Sequence, residues 1–318
     1  MRTAFVETLF ELARRDPRIV LIVGDLGFDV VTSFMEQLPA QFVNAGVAEQ
    51  NMTSMAAGMA LSGKKVFTYS IANFPTLRCL EQIRNDVCYH HANVTIVAVG
   101  GGLSYGAMGP SHHATEELAV MRALPDITVI APGDPVEARL ATHAILEHEG
   151  PCYLRLGKAG EPVAHRGLID FKIGKAIQLR EGDDLTLIST GALLPVAVEV
   201  ADRFAANGIH IRLLSMHTLK PIDTDAVLAA ACETRAIATL EEHSITGGLG
   251  SAVAEVIAEA GYPRVPFRRI GLPNSFPDRA GSQIYLRDRY GLTAQGIEQS
   301  LQPLLTTSKK TLVTASIC

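Results

Sequence analysis

The sequence has little that would tie it to a membrane, a nucleic acid or a structural metal. No apolar run approaches the ~20 residues of a membrane-spanning helix. The N-terminal stretch MRTAFVETLFELARRD lacks the apolar core of a signal peptide. It reads as an amphipathic helix with Phe5, Leu9 and Leu12 on one face. No basic cluster with interleaved aromatics occurs, and the net charge of −5 gives no reason to expect nucleic acid or an anionic membrane. The five cysteines (Cys79, Cys88, Cys152, Cys232, Cys318) are scattered and form no C-x-x-C pair. That argues against a zinc site and suits a reducing cytoplasm. What is present is a globular composition: 318 residues, 47% hydrophobic and 19% charged, enough for two ordinary domains.

The first half alternates strand and helix signals. Val20–Val23, Val66–Tyr69, Val94–Val99, Thr128–Ile130 and Tyr153–Leu156 are short and rich in apolar or β-branched residues. Helical patterns lie between them near 49–61, 75–90, 115–123 and 135–149. Such alternation predicts a mostly parallel sheet covered on both faces. Gly157-Lys158-Ala159-Gly160-Glu161-Pro162 breaks the pattern and opens a polar linker. Strands then recur at Leu185–Ser189, Ile209–Leu214, Ala236–Leu240 and Val265–Ile270, with helices near 195–207, 223–233 and 248–260. The fold class is therefore α/β, with two doubly wound domains. A first domain spans 1–160, a linker 161–173, a second domain 174–305, and a tail over 306–318 without helical period is expected to be poorly ordered.

Glu49 is the residue of most interest. It opens a helix of small residues and methionines that carries almost no other charge up to Ser62. A carboxyl group there is shielded from water and placed to share a proton with a bound heterocycle, although the helix dipole alone favours an acid in a first turn. Asp25, in Gly24-Asp25-Leu26-Gly27, follows the first strand and so faces the end where α/β sheets bind ligands, or else turns the chain. Phe74 also sits between strand and helix, where it could stack on a planar ring or pack in the core. Gly100-Gly101-Gly102-Leu103-Ser104-Tyr105-Gly106 misses the dinucleotide spacing, so its glycines are read as letting the backbone pass close to a ligand or a partner chain. Gly109 and Pro110 fix a loop that presents His112 and His113, residues suited to donating a hydrogen bond or exchanging a proton. Arg2, Arg155 and Lys158 are cations near element ends that could hold a phosphate. Glu241 to Ser251 links a strand to a glycine-rich helix; it is assigned close helix packing at a subunit interface and no chemistry.

Taken in order, these segments resemble the C-terminal half of transketolase, and in particular the separately encoded C-terminal subunits of split transketolases. The motifs are GDLG (24–27), GVAEQNM (46–52), NFPTLRCLEQIRNDV (73–87), GPSHHATEELAVMRALPDITVIAP (109–132), YLRLGKAG (153–160) and EEHSITGGLGSAVAE (241–255), and the resemblance covers about 1–305. It implies a pyrimidine-binding domain followed by a transketolase C-terminal domain. It implies that Glu49 hydrogen-bonds the aminopyrimidine of thiamine diphosphate, that Phe74 stacks on that ring, and that Asp25 lies near it. His112 matches the family's active-site histidine, which bonds a substrate oxygen, and Arg2 and Lys158 fall at positions similar to its sugar-phosphate cations.

Three departures from the family stand out. Met108 replaces an acid two residues before Pro110, a histidine expected near Gly100 is missing, and Lys158 replaces an arginine. The family holds the cofactor's diphosphate through Mg²⁺ on a G-D-G…N segment of its N-terminal domain, and the sequence has no such segment. The resemblance therefore implies no metal ligands on this chain and a separately encoded N-terminal partner, most simply in an α2β2 assembly with sites at its interfaces. The activity implied is transfer of a two-carbon ketol unit from a ketose or ketose phosphate to an aldose in the cytoplasm. The alternative is a subunit of a 2-oxoacid-decarboxylating relative, similar to deoxyxylulose-phosphate synthase or to a 2-oxoacid dehydrogenase beta subunit.

Overall fold

The structure, a computed structural model, describes residues 1–307 except Phe28 and 262–264; residues 308–318, most of the expected tail, lie outside it. The chain opens with α1 (Arg2–Ala13), which buries Phe5 and Leu9. It then alternates β1 (Ile19–Val23), α2 (Thr32–Gln37), β2 (Phe42–Asn44), α3 (Glu49–Leu61), β3 (Lys65–Ile71), α4 (Leu80–Gln82), β4 (Val94–Val99), α5 (Glu117–Ala123), β5 (Thr128–Ile130), α6 (Pro135–Glu147) and β6 (Cys152–Leu156). β1, β4 and β6 are buried at every position, as strands covered on both faces must be. In space the order is β5-β6-β4-β3-β1-β2, all parallel. The chain goes outward from β1 to β2 and then returns across β1 to β3. Strand order reverses there, which opens a crevice at the carboxyl ends.

The second half contains β7 (Ile177–Arg180), β8 (Leu185–Ser189), α7 (Leu194–Ala205), β9 (Ile211–Ser215), β10 (Thr218–Lys220), α8 (Thr224–Glu233), β11 (Ile237–Ser244), α9 (Leu249–Glu259), β12 (Phe267–Leu272), α10 (Gln283–Arg289) and α11 (Ala294–Thr307). Its sheet runs β12-β11-β8-β9-β7, with β7 antiparallel. β10 leaves that sheet and pairs antiparallel with β5, Thr218 opposite Ile130, as the edge strand of the first sheet. The carboxyl ends of the second sheet are covered by the first half. The Gly191 amide donates to the Ala131 carbonyl (3.1 Å) and the Ser244 amide to the Thr115 carbonyl (2.8 Å).

Several elements differ from the sequence expectation. The helix expected over 75–90 is turns to Cys79, the short α4, then a π-helical segment Ile83–Cys88. The short elements α2, β7 and β10 were not anticipated, nor were α10 and α11, whose Leu286, Ile297 and Leu301 close the second core. α11 continues through Thr306 and Thr307, where the tail was expected to begin. No helix among the described residues is long and apolar enough to cross a membrane.

A buried polar knot fastens the stretch after β6 to both halves. Asp134 caps α6 by accepting from the Glu137 amide (2.8 Å) and also accepts from the Ala164 amide (2.8 Å). His165 Nε2 meets Glu137 Oε1 at 2.7 Å, and Phe171 stacks on His217 at 3.9 Å. Burial works against charge on both Glu137 and His165, but their contact prevails: it lowers the carboxyl's pKa and raises the imidazole's. Burial pushes His217 down to about 4.

A histidine depressed in the fold loses stability as pH falls from its ordinary 6.5 toward about 4. The raised His165 contributes fully below its ordinary value, and the lowered Glu137 contributes fully above its own. Between about pH 6.5 and 4.5, then, only His217 varies among the three, and it removes roughly 2–3 kcal/mol. Denaturant melts across that range should show a smaller fall in stability for His217→Gln than for the native chain, whatever the variant's absolute stability.

Candidate functional site

The residues singled out in the sequence fall at one end of the first sheet. Asp25 follows β1, Glu49 follows β2, Phe74 follows β3, His112 lies in the loop after β4 and Lys158 follows β6. Parallel strands make this a single edge. Asp25 has φ of +54°, a strained conformation for a residue with a side chain. Asn44 holds it there: the Asn44 Oδ1 accepts from the amides of Asp25 (3.1 Å) and Gly46 (3.0 Å), and its Nδ2 donates to Asp25 Oδ1 (2.9 Å).

α3 buries Glu49, Met52, Thr53, Ala56 and Ala57, the i, i+3, i+4, i+7, i+8 stripe of a helix lying on a sheet. Glu49 is the first member of that stripe, so its carboxylate is carried inward and is only 2% exposed. Its partner is Arg78, with Nη1 at 2.6 Å from Oε2. The same guanidinium lies over the Phe74 ring, 4.8 Å from its centroid. Phe74 meets the His112 ring edge-on at 5.2 Å, His112 faces Tyr105 at 6.4 Å, and Lys158 Nζ sits 5.0 Å over the Tyr105 ring. Arg2 reaches Tyr69 and acts on Tyr105, and its Nε is buried without a hydrogen-bond partner. Glu49, Phe74, His112 and Lys158 are thus joined by a run of contacts through Arg78 and Tyr105, with Arg2 near Tyr69 and Tyr105 and Asp25 on the loop after β1.

The structure differs from four readings of the sequence. His113 is buried rather than presented, with Nε2 3.1 Å from the Gly106 carbonyl. Arg155 is not free for a phosphate. It is 4% exposed and gives its Nε to Glu117 (2.5 Å) and its Nη2 to the carbonyls of Ala114 (3.1 Å) and Glu242 (3.0 Å). Burial disfavours its charge, but Glu117, Tyr153 and Glu242 outweigh burial and raise its pKa. The glycines after β4 face this chain's own side chains. A Cβ on Gly100 would fall 2.1 Å from the Tyr105 ring, and one on Gly102, at φ +67°, 2.7 Å from Glu242. The glycines beside α9 likewise pack within the chain, around the Glu241 carboxylate that accepts from the Leu249 (2.7 Å) and Gly250 (2.8 Å) amides. Sequence reasoning missed Arg78, Asn44 and Tyr105. Arg78 had one usable signal, its i+4 spacing from Phe74.

The loop that carries His112 is held from the second half. Glu242 Oε1 accepts from the Leu103 amide (2.7 Å) and from Gln283 Nε2 (2.8 Å), and Oε2 accepts from Arg287 Nε (2.5 Å). No group of three or more His, Cys, Asp or Glu among the described residues could hold a metal ion. Glu242→Ala strands the Arg287 charge, the Gln283 amide and the Leu103 amide, while Arg155 keeps Glu117 and the backbone carbonyl of residue 242, so thermal melting should show a loss of roughly 3–5 kcal/mol. Gly102→Ala, strained and overlapping Glu242, should destabilise the chain as well, while Gly109→Ala, with open space around it, should lose only the strain of its positive φ.

The chain matches the transketolase pyrimidine-binding domain over residues 1–160 and the transketolase C-terminal domain over residues 174–297. It is 40% identical to a subunit of the apulose-4-phosphate transketolase of Phocaeicola vulgatus, covering 93% of this chain and 94% of that one. It is 39% identical to a 6-deoxy-6-sulfo-D-fructose transketolase subunit of a Clostridium species, covering 93% and 92%. Among solved structures, a split-gene transketolase described as an inactive beta4 tetramer superposes with a TM-score of 0.86 at 39% identity, over 96% of this chain and 97% of that one.

Proposed function

We propose that this chain, which belongs to the transketolase family, is the C-terminal subunit of a split enzyme that moves a two-carbon ketol unit from a ketose or ketose phosphate to an aldose. The observation that carries the reading is the seat built by Glu49 and Phe74: a shielded carboxylate beside an aromatic face, already holding a planar N–H donor at 2.6 Å. An aminopyrimidine ring has that same shape and hydrogen-bonding character, so these residues fit the ring of thiamine diphosphate. When bound, the cofactor supplies the nucleophilic carbon that accepts the ketol unit. Glu49 would hold a proton against a ring nitrogen, and Phe74 would fix the ring plane. Asp25, clasped by Asn44, would shape the loop beside them. His112, within reach of Phe74, would donate to a substrate oxygen, and Arg2 and Lys158 would bind the substrate's distal, anionic end. Relatives of matching length are named as transketolase subunits acting on apulose 4-phosphate and on a sulfo-sugar, both anionic.

The fit covers only the ring. The Mg²⁺ and diphosphate ligands are assigned to a separately encoded N-terminal subunit, in an α2β2 assembly. Val47 just before α3, Leu61 at its end, and Leu77 and Tyr89 on the segment packed beside it are exposed and give the surface on which that subunit would dock. The division into a pyrimidine-binding domain (1–160) and a second domain (174–305) belongs to the same proposal.

Assembled with its partner, Mg²⁺ and thiamine diphosphate, the chain should transfer a ketol unit from a ketose phosphate and release no carbon dioxide from pyruvate. Release from pyruvate would move it to the decarboxylating branch. Glu49→Gln should cut kcat/KM by roughly 10²–10⁴ while the chain stays folded by circular dichroism. An unchanged rate would remove Glu49 from the chemistry.

A further inference from the structure

Arg78 does more at this site than neutralise a charge. Its guanidinium is planar, donates N–H bonds in its own plane and lies on an aromatic face. It uses one oxygen of Glu49 at 2.6 Å and one face of Phe74 at 4.8 Å. His112 already meets that ring edge-on at 5.2 Å. These are the two surfaces that an incoming aminopyrimidine would need. The pair is also unequal. Glu49 is fixed by α3 and is 2% exposed, whereas the Arg78 side chain is 45% exposed and springs from a stretch of turns. One partner is built in and the other can swing out.

We infer that Arg78 is an internal stand-in for the cofactor ring: it fills the Glu49–Phe74 seat of the unloaded chain and leaves when the ring arrives. The inference rests on reading that seat as the ring's binding site. Its physical reason is that a carboxylate buried without a partner strongly destabilises a fold. Arg78 supplies the missing partner until the ring does. The apparent affinity for the cofactor is then reduced by the fraction of time the seat is occupied by Arg78. Stability of the empty chain and cofactor affinity are coupled with opposite sign through one side chain.

Arg78→Met removes the charge and the plane, and Arg78→Lys keeps the charge alone. Two measurements separate the outcomes: thermal melting of the isolated chain, and calorimetric titration of the chain assembled with its partner, using thiamine diphosphate with Mg²⁺. For Arg78→Met the chain should melt lower by about 4 °C or more, while the assembly binds thiamine diphosphate about tenfold tighter or better. Arg78→Lys should show both effects in weaker form. The melting loss should vanish when Arg78→Met is made in a Glu49→Gln background, since no buried charge is then stranded. Weaker or unchanged cofactor binding in Arg78→Met overturns the stand-in and leaves the seat itself intact. A melting loss that persists without the Glu49 charge overturns it as well. If the native assembly binds no thiamine diphosphate, the reading of the seat is what fails.

Discussion

The carboxylate of Glu242 is 1% exposed and has no water to turn to. It is tolerated because three donors converge on its oxygens, the Leu103 amide, Gln283 and Arg287, while Arg155 binds the same residue's backbone carbonyl. Those donors come from both halves of the chain. Satisfying one buried acid therefore forces the second sheet to sit on the loop that follows β4. A buried charge network of this kind is weak evidence for stability relative to an apolar core, but its geometry is unforgiving. It sets where the 100–114 loop lies, and with it where Tyr105 and His112 stand relative to Phe74. The second half adds no candidate site residue, yet it fixes the position of those the first half presents.

The opposite situation holds at Glu49. Here, among the described residues, a buried carboxylate has one hydrogen-bond partner rather than three, and that partner is half in solvent. The contrast follows from placement. Glu242 is the sixth residue of an eight-residue strand buried at every position, packed between two sheets' worth of structure. Glu49 opens a helix at the edge of a crevice, where strand order reverses and the neighbouring loops diverge. A fold can close completely around the first and must stay open around the second.

Much of this was legible in the sequence, for stated reasons. The strand β1 announces itself as an unbroken apolar run, β4, β5 and β8 as short stretches rich in apolar or β-branched residues, and α3 by its stripe of Met52, Ala56 and Ala57. Glu49, Phe74 and His112 stood out because each follows a strand. What was not legible depended on contacts distant in the chain. Arg155 looked like a free cation because nothing local shows Glu117 or Glu242 beside it. His113 looked like its neighbour because one residue of rotation in a loop decides which side chain points inward. The glycines of 100–102 announced close approach correctly but not what approaches. The helix expected over 75–90 is present only over 80–88, and local propensity reveals neither the turns before it nor the π-helical spacing of Ile83–Cys88.

The short strand Thr218–Lys220 carries a consequence for how the chain could be divided. It is donated by the second half to the rim of the first half's sheet, where it satisfies the open backbone groups of β5. A fragment cut in the 161–173 stretch would lose that cover. Its sheet would end in a bare, apolar ribbon of the kind that recruits other chains and aggregates. The two halves are thus separable in a diagram but not at the bench: the second supplies the cover for an edge that the first leaves unfinished.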